Sequence, residues 1–336
     1  MGKIRLLSKL LLFSGLFLVA CEKVEQPIAL PPSEGSEYAR IEMGEDYTDQ
    51  VFFDLETKSV VYTSPIKSWD FAFEASANGY HVFMNGGGTN VFVYNTHETD
   101  ITKVLTPPSV KDSEWQFDAS CAVNDSTGIG DWLVGGNSKK EVYIVKLDPQ
   151  FYPDTFKKIQ ILSVNDNEYV MLFGDLRSAN TQMINIAKNS NYNYSYFSFS
   201  EGGRVVNPEP PKNTWDIVFT RYRIIYYSLD KFPYPVTGVL SNPYNTSLAK
   251  DSVTGYTNIK SGNLLGYKFS DHRDIIGYDW KILKLNRSTG ESSYTIDKNK
   301  AYIIKNRRDQ FYKLHFLDFY YQSVKGNPSF EYERIQ

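Results

Sequence analysis

A five-residue pattern that occurs twice constrains this chain more than any other feature. WDFAF at residues 69–73 is echoed by WDIVF at residues 215–219. An apolar stretch, a polar turn and a Val-Val pair stand before each copy, as VFFDLETKSVV and as YFSFSEGGRVV. Self-similarity at a long spacing is the signature of a duplicated structural unit. The chain is therefore predicted to fold as two related units.

Two later landmarks repeat in the same order. VYIVK at 142–146 is echoed by AYIIK at 301–305, and FKKIQIL is then echoed by FYKLHFL. The interval from the Trp landmark to the Tyr landmark is 74 residues in the first copy and 87 in the second. Insertions in surface loops produce such differences at little energetic cost. Four landmarks in register indicate a duplication, with a boundary in the polar segment 187–193.

Strand-like runs of alternating aromatic and β-branched residues fill the chain. It contains 25 Tyr and 21 Phe, many of them in runs such as VFVYN, EVYIVKL and YSYFSFS. Such runs are typical of β-strands, and long stretches with the apolar period of a helix are missing. Pro, Gly, Asn and Asp follow one another at short intervals, as turns require. The predicted fold class is all-β, with two related antiparallel β-modules in tandem and little helix.

The repeated Trp-Asp pairs have a structural interpretation. In both copies the large apolar side chains occupy alternate positions, so they share one face of a strand. Trp69 and Trp215 are predicted to anchor the cores of their modules, in preference to a role in ligand binding. Asp70 and Asp216 are expected to accept backbone N–H bonds from the turn that precedes each strand, as Asp commonly does.

The FKKIQIL and FYKLHFL strands alternate in a way that predicts one exposed face. The lysines of these strands, Lys157, Lys158 and Lys313, are therefore expected to face solvent. His315 stands between Leu314 and Phe316 and is expected to face away from the core for the same reason.

The first 36 residues have the pattern of an export signal and a tether. Three basic residues precede the eleven-residue apolar stretch LLLFSGLFLVA, which is too short to span a bilayer and fits the core of a signal peptide. Ala20 followed by Cys21 resembles a bacterial lipobox, in which the cysteine is acylated and becomes the N-terminus. Residues 1–20 are thus predicted to be the signal peptide, and 21–36 a lipidated flexible tether. Modules at 37–190 and 191–336 are predicted to follow.

Charge and cysteine content exclude several classes of partner. The chain after residue 20 has a net charge of −6 and contains no basic run, which argues against nucleic acid. With Cys21 acylated, Cys121 is the one remaining cysteine, so neither an internal disulfide nor a cysteine-based metal site can form. Cys121 is expected to be a small buried apolar residue.

Motifs that would indicate catalysis are missing from the sequence. It contains no GxSxG, no HExxH and no phosphate-binding loop. The chain is therefore predicted not to be an enzyme, and an unrecognised hydrolase is kept as the alternative because fold does not fix function.

The second copy resembles the HmuY-like proteins, a family of haem-binding lipoproteins from Bacteroidetes-type bacteria. The resemblance rests on YFSFSEGGRVVNPEPPKNTWDIVFTRY at 196–222, on the run from YDWKILKLN to FYKLHFLDFYY, and on the ending KGNPSFEYERI. It covers about 194–336, and the first copy is a diverged version at about 45–175. The resemblance implies an all-β fold with long hairpins. It also implies capture of haem at the cell surface and delivery to a TonB-dependent receptor of the outer membrane.

The family's ligand residues are only partly present. One axial His of the haem-binding members lies five residues after a Trp that matches Trp280, and the position is Leu285 here, which cannot ligate iron. His81 with Met84, in GYHVFMNGGG, and His272, in FSDHRD, are the candidate ligand residues that remain. In a strand, positions 81 and 84 face opposite sides, so joint ligation needs a bend. The competing interpretation of His81 is a strand residue beside a Gly-rich turn. The competing interpretation of His272 is a residue in a solvated loop.

Two functions follow from these observations. The first is non-catalytic capture of a ligand, with haem as the first candidate, by a lipoprotein that Cys21 anchors in the outer membrane at the cell surface. The second is a non-haem module that binds a protein or a glycan and assists an outer-membrane uptake system.

Overall fold

The computed structural model describes residues 32–44 and 46–335, and this part of the chain is almost entirely β-structure. Helix is confined there to six short 3₁₀ segments of three to six residues. The strands are β1 Glu37–Arg40, β2 Asp49–Asp54, β3 Ser59–Pro65, β4 Phe71–Glu74, β5 Val82–Met84, β6 Phe92–Asn95, β7 Leu133–Val134, β8 Asn137–Ser138, β9 Val142–Lys146, β10 Phe156–Val164, β11 Glu168–Asp175, β12 Gln182–Ala187, β13 Tyr194–Ser198, β14 Arg204–Val206, β15 Ile217–Tyr226, β16 Phe232–Ser241, β17 Ser247–Asp251, β18 Lys281–Leu285, β19 Ser292–Ile296, β20 Ala301–Lys305, β21 Phe311–Tyr321 and β22 Val324–Ile335. The predicted all-β class is confirmed.

Each copy of the repeat contributes the main strands of one five-stranded antiparallel sheet. The first copy forms the order β12-β11-β10-β9-β6. The second sheet has the order β1-β22-β21-β20-β17, in which β1 comes from the N-terminal end of the chain and the other four strands come from the second copy. The landmark strands β9 and β10 of the first sheet pair with each other as β20 and β21 do in the second. The later landmarks of the repeat therefore occupy equivalent places, as a tandem of related modules requires.

The opening hairpins of the two copies are exchanged. The hairpin β2–β3 of the first copy pairs with β15 of the second, with Val51 opposite Phe219. The hairpin β13–β14 of the second copy pairs with β4 of the first, with Ser195 opposite Phe73. Two four-stranded sheets result, in the orders β16-β15-β2-β3 and β14-β13-β4-β5. Both contain strands from either side of the predicted boundary at 190/191.

Buried aspartates fasten the exchanged hairpins. Asp70 accepts a hydrogen bond from the Phe199 backbone N–H at 2.7 Å, and Asp216 accepts one from the Leu55 N–H at 3.0 Å. Both carboxylates are fully buried. Each Asp does bond a backbone N–H near the end of an opening hairpin, but the hairpin belongs to the other copy. The expectation of a bond to its own preceding turn was wrong because the hairpins are exchanged.

The hydrophobic cores depend on this exchange. Phe197 and Phe199 of the second copy are buried in the core of the first, against Phe71 and Phe173. Conversely, Phe53 of the first copy packs in the core of the second. Burying one such side chain contributes roughly 2–3 kcal/mol. A module without the hairpin of the other copy would therefore lose several kcal/mol of core packing.

Three polar side chains that were expected to face solvent are buried. Lys158 and His315 are 0% and 7% exposed, and Lys313 is 2% exposed. The Lys158 amine donates to the carbonyl oxygens of Ile101 and Val104, both at 2.8 Å. Loop segments cover the faces that the alternation assigned to solvent, so these expectations were wrong.

The N-terminal segments connect to the second five-stranded sheet. Ser33 donates to the carboxylate of Glu331, and the hydroxyls of Ser36 and Tyr256 bond at 2.7 Å. The predicted signal peptide and Cys21 lie outside the described residues. Within 32–44 and 46–335, the structure contains no helix of sufficient length and apolarity to cross a membrane.

Cutting the chain between the copies tests the hairpin exchange. A protease site inserted between Asn189 and Ser190, which are both exposed, should yield two fragments after cleavage. We expect the fragments to co-elute on size-exclusion chromatography in dilute native buffer and to separate in denaturant, because each supplies a core hairpin to the other. The uncleaved chain is the control, and fragments that elute separately in native buffer would contradict the exchange.

Loss of one aspartate should weaken the whole molecule. Asp70→Ala leaves the buried Phe199 N–H and the Tyr152 hydroxyl, which donates to Asp70 at 2.8 Å, without a partner. We expect the free energy of unfolding to fall by about 2–4 kcal/mol in urea titration. Asp112→Ala is the matched control, because Asp112 is 97% exposed in its ion pair with Lys146, and such pairs contribute less than about 1 kcal/mol.

Candidate functional site

The two four-stranded sheets face each other and enclose space between the copies. Aromatic and aliphatic side chains of β2 and β15 oppose those of β4, β5 and β13 across a cavity of about 110 Å³. An open cleft of about 620 Å³ adjoins it, and Ala119, Ser120 and Tyr222 line both spaces. Protein sites for small molecules have volumes of roughly 300–1,000 Å³. The cleft is therefore the candidate ligand site, since the cavity holds only a much smaller molecule.

Tyrosine dominates the cleft. Its walls are the end of strand β15, the middle of strand β17, the segment before β18 and a loop of the first copy. The side chains that decide its chemistry are Cys121, Ile224, Tyr226, Tyr227, Tyr278, Lys250 and Lys268. Flat aromatic surfaces beside aliphatic ones suit an apolar, planar ligand, and the two lysines supply positive charge for an acidic group.

Contacts between the copies hold the walls of the cleft. Ser120 of the first copy donates to the Asp274 carboxylate at 2.6 Å, and the Arg273 backbone N–H donates to the Cys121 carbonyl oxygen at 3.1 Å. Gly277 exchanges two backbone hydrogen bonds with Val239, at 2.9 and 3.1 Å. The thiol of Cys121 is half-buried in this wall, where the sequence predicted a buried apolar residue.

The two lysines of the cleft differ in their partners. Lys250 forms an ion pair with Asp279 at 2.7 Å, and Lys300 pairs with the same carboxylate at 2.9 Å. Burial opposes ionisation of Asp279, but the hydrogen bonds from both lysines hold its pKa below the ordinary value. Lys268 is exposed, and among the described residues no carboxylate forms an ion pair with it. Lys268 therefore provides uncompensated positive charge at the cleft.

Tyr278 stays protonated at neutral pH. Burial raises the pKa of its phenol, and the neighbouring Tyr226 raises it further. The adjacent Trp280 stacks on Phe316 with ring centroids 3.9 Å apart, which fixes the segment from Tyr278 into β18. The phenol is thus presented to the cleft by a rigid part of the core.

The structure does not bring the predicted ligand residues together. The His81 ring bonds the Glu74 carboxylate at 2.7 Å and stacks on Tyr80, whereas Met84 packs in the core of the first module. His272 is exposed in a loop. None of the four histidines, all within the described residues, lines the cleft or the cavity; Met84 lines the cavity.

The two Trp-Asp landmarks have different surroundings. Trp215 is fully buried against Phe52 of the other copy, in an edge-on contact with centroids 4.9 Å apart. Trp69 is half-buried beside Tyr196 and lines the cavity. Trp215 is therefore a core anchor, whereas Trp69 also lines the space between the sheets.

Leu285 lies on an exposed apolar edge near the cleft. It is 62% exposed on β18, where Leu283 is 58% exposed. The tip of the β15–β16 hairpin carries Tyr227, Leu229 and Phe232, which are 73%, 62% and 52% exposed. These exposed apolar side chains lie on the β15–β16 hairpin and on strand β18.

Sequence reasoning missed the residues that line the cleft. Its search for iron ligands considered His and Met, whereas the cleft presents phenols and one thiol. The run RIIYYS at 223–228 was the available signal, because it places two adjacent tyrosines at the end of a strand. In the described part of the chain, no group of three or more His, Cys, Asp or Glu side chains could hold a bare metal ion.

A duplicated antiparallel β-protein with a ligand-sized cleft between its copies belongs to the class of binding proteins. The family model of the HmuY protein matches the chain twice, at residues 46–191 and 190–332. The chain therefore belongs to the HmuY family as two tandem copies. Members of this family are ligand-binding proteins rather than enzymes.

Solved structures with a remote likeness include the following three. The apo HmuY analog of Tannerella forsythia is 11% identical, covers 90% of this chain and 96% of its own, and gives a TM-score of 0.25. Apo PinO from Porphyromonas gingivitis is 10% identical over 90% and 99%, with a TM-score of 0.28. A HmuY-like haem-binding protein from Bacteroides vulgatus is 17% identical over 54% and 93%, with a TM-score of 0.22. No curated protein matches the chain.

The wall at Gly277 should tolerate no side chain. Its φ is +64°, and an added Cβ would lie 2.8 Å from the carbonyl oxygen of Asp274. We expect Gly277→Ala to lower the free energy of unfolding by about 1–2 kcal/mol, measured in urea. Gly262→Ala is the matched control, since that glycine has no atom within 4 Å of an added Cβ. An equal effect of both changes would show that the wall is not rigid.

Proposed function

We propose that the protein is a surface lipoprotein that captures a ligand without catalysis, with haem as the first candidate, and delivers it to an outer-membrane receptor of the TonB-dependent type. Membership of the HmuY family supports capture of a ligand. The observation that carries the proposal is the tyrosine-lined cleft of about 620 Å³ between the copies.

The cleft suits the porphyrin of haem in size and in polarity. Ile224 and the rings of Tyr226 and Tyr278 offer apolar contact to a flat macrocycle. Lys268 offers an unpaired ammonium to a propionate. Because the cleft is open, the ligand can leave it again, as delivery to a receptor requires.

Iron ligation in this cleft would differ from the bis-histidine pattern that the resemblance implies. The donors present are the Cys121 thiol and the phenols of Tyr226, Tyr227 and Tyr278. Thiolate and phenolate are both established axial ligands of haem iron. Either one would replace the donor that is lost at Leu285.

The tether supports a position close to a membrane. Ten residues, and thus eleven peptide steps, separate Cys21 from residue 32, where the described chain begins. Fully extended, they span at most roughly 40 Å. An acylated Cys21 would therefore hold the modules within about one protein diameter of the lipid, near a receptor in the same membrane.

Titration of residues 22–336 with haem tests the proposal. We expect a saturable Soret change at micromolar haem, because the aromatic walls exclude water from the porphyrin. Cys121→Ser should shift the Soret band if the thiolate ligates iron, and Tyr278→Phe should shift it if that phenolate does. Metal-free protoporphyrin IX separates contact with the ring from ligation. His97→Ala, at a 77% exposed side chain, is the control.

Labelling of Cys121 gives the position of the ligand. Cys121 is the one thiol of residues 22–336, and it lines the cleft. Bound haem should slow its reaction with a maleimide at least tenfold. His81→Ala and His272→Ala should leave this protection unchanged, since neither side chain lines the cleft. Loss of haem binding in either variant would instead favour those histidines.

The exposed hairpins favour a second candidate function. Leu285, Leu229 and Phe232 form an apolar edge that a protein partner could cover. A non-haem module that binds a protein or glycan beside an uptake system is therefore the alternative. The absence of any spectral change at micromolar haem would support it.

A further inference from the structure

The cavity between the facing sheets has apolar walls drawn from both copies. Phe52 and Val218 line one side, and Trp69 and Phe83 line the other. At about 110 Å³, it exceeds the space of a single water several times over. It is distinct from the cleft in size and in lining, although the two spaces share three residues.

Hydrogen-bond donors in this cavity lack partners. The Arg273 side chain donates through Nε to the Ser241 carbonyl oxygen at 2.7 Å. Within the described residues, no atom accepts a hydrogen bond from the terminal nitrogens of Arg273 or from the hydroxyl of Tyr194. Tyr194 is only 9% exposed. These donors line the cavity and are available to a ligand or water that enters it.

The positive charge of Arg273 is only partly compensated. Glu209, a carboxyl group of the same cavity, accepts from the Asn193 N–H at 2.9 Å and from the Tyr196 hydroxyl. Burial raises the pKa of Glu209 to about 7, against the opposing effects of these hydrogen bonds and of Arg273. Burial therefore favours the neutral form of Glu209 more than in an exposed carboxyl group. The cavity thus combines apolar walls, two free donors and a partly uncompensated guanidinium.

We propose that this cavity is a second ligand site, which binds a small aromatic carboxylate. The carboxylate accepts from both terminal nitrogens of Arg273, in the two-point geometry that guanidinium groups favour, and from the hydroxyl of Tyr194. The ring lies between Phe52, Phe83 and Trp69. An inorganic anion would satisfy the donors but would leave the apolar walls unfilled.

Binding of benzoate to residues 22–336 tests this site. We expect saturable quenching of tryptophan fluorescence through Trp69 and a matching heat of binding. Benzamide, which has the same shape without the charge, should bind at least tenfold more weakly. Equal binding of the two compounds, or no binding of benzoate at 10 mM, would overturn the proposal.

Variants separate recognition from folding. Arg273→Gln should weaken benzoate binding at least tenfold, Arg273→Lys should retain part of it, and Tyr194→Phe should weaken it about threefold to tenfold. Arg287→Gln, at an exposed position, is the matched control. A variant is included in the comparison only if it unfolds at the same urea concentration as the wild type. Wild-type affinity of Arg273→Gln for benzoate would overturn the assignment. Haem titration of the same variants reports on the cleft separately.

The pH dependence provides an independent readout. Glu209 faces Tyr194 and Tyr196 on β13 and Arg273 on the opposing loop, while Asp118, whose pKa burial raises to about 6, lines the same cavity beside Arg223. A bound carboxylate favours the neutral form of Glu209. Benzoate affinity should therefore rise up to about tenfold from pH 8 to pH 6. An affinity that rises with pH in this range would contradict the assignment.

Discussion

The structure depends on the burial of two aspartates that join each copy of the repeat to the hairpin of the other. Asp216 accepts from the Leu55 N–H and also pairs with Arg307, which bonds Asp54 at 2.8 Å. All three charged side chains are at most 3% exposed. A buried ion pair is costly to break because the remaining charge is left without solvent or partner. Asp54 belongs to the first copy and Arg307 to the second, so this cluster makes the two copies a single structural unit.

The space between the copies is a consequence of that exchange. Each wall of the cavity comes from a sheet that contains strands of both copies, and the cleft beside it is bordered on one side by a loop of the first copy bonded to a loop of the second. In a tandem of independent modules the opposing faces would have been free to separate. The exchanged hairpins instead fix them at a constant distance, and a fixed distance is what a preformed ligand site needs.

The sequence pattern predicted the modules but could not predict which hairpin pairs with which strand. VFFDL and YFSFS carry the same alternation, and each can present a matching apolar face to either Trp-Asp strand. Register is determined by that alternation, whereas the choice of partner depends on long-range packing. In one sheet Phe52 of the first copy packs against Trp215 of the second, and in the other Tyr196 of the second copy packs against Trp69 of the first. Each hairpin therefore makes the same kind of contact with the Trp of the other copy. The repeat could therefore be recognised while the exchange could not.

The buried lysines show a second feature that the sequence pattern could not predict, namely which strand faces are covered by loops. An alternating strand has two faces, but alternation does not say whether a loop covers the polar one. Lys158 lies beneath the segment that contains Ile101 and Val104, and its amine is satisfied by their carbonyl oxygens. Burial lowers the pKa of this amine, and the two carbonyl acceptors offset part of the cost of burying it. Covering loops have little periodic signal, and their contacts become visible only in the folded chain.

The same argument applies to the candidate ligand site. His81 and Met84 are close in sequence, yet the strand directs them to opposite faces, one toward Glu74 and the other into the core. Cys121 and Tyr278 are far apart in sequence, yet the exchange places them in one cleft. A donor search along the chain favours neighbours in sequence, whereas this fold assembles its cleft from segments of both copies. Iron chemistry in this protein, if the cleft carries it, must therefore use the phenols and the thiol that the fold brings together.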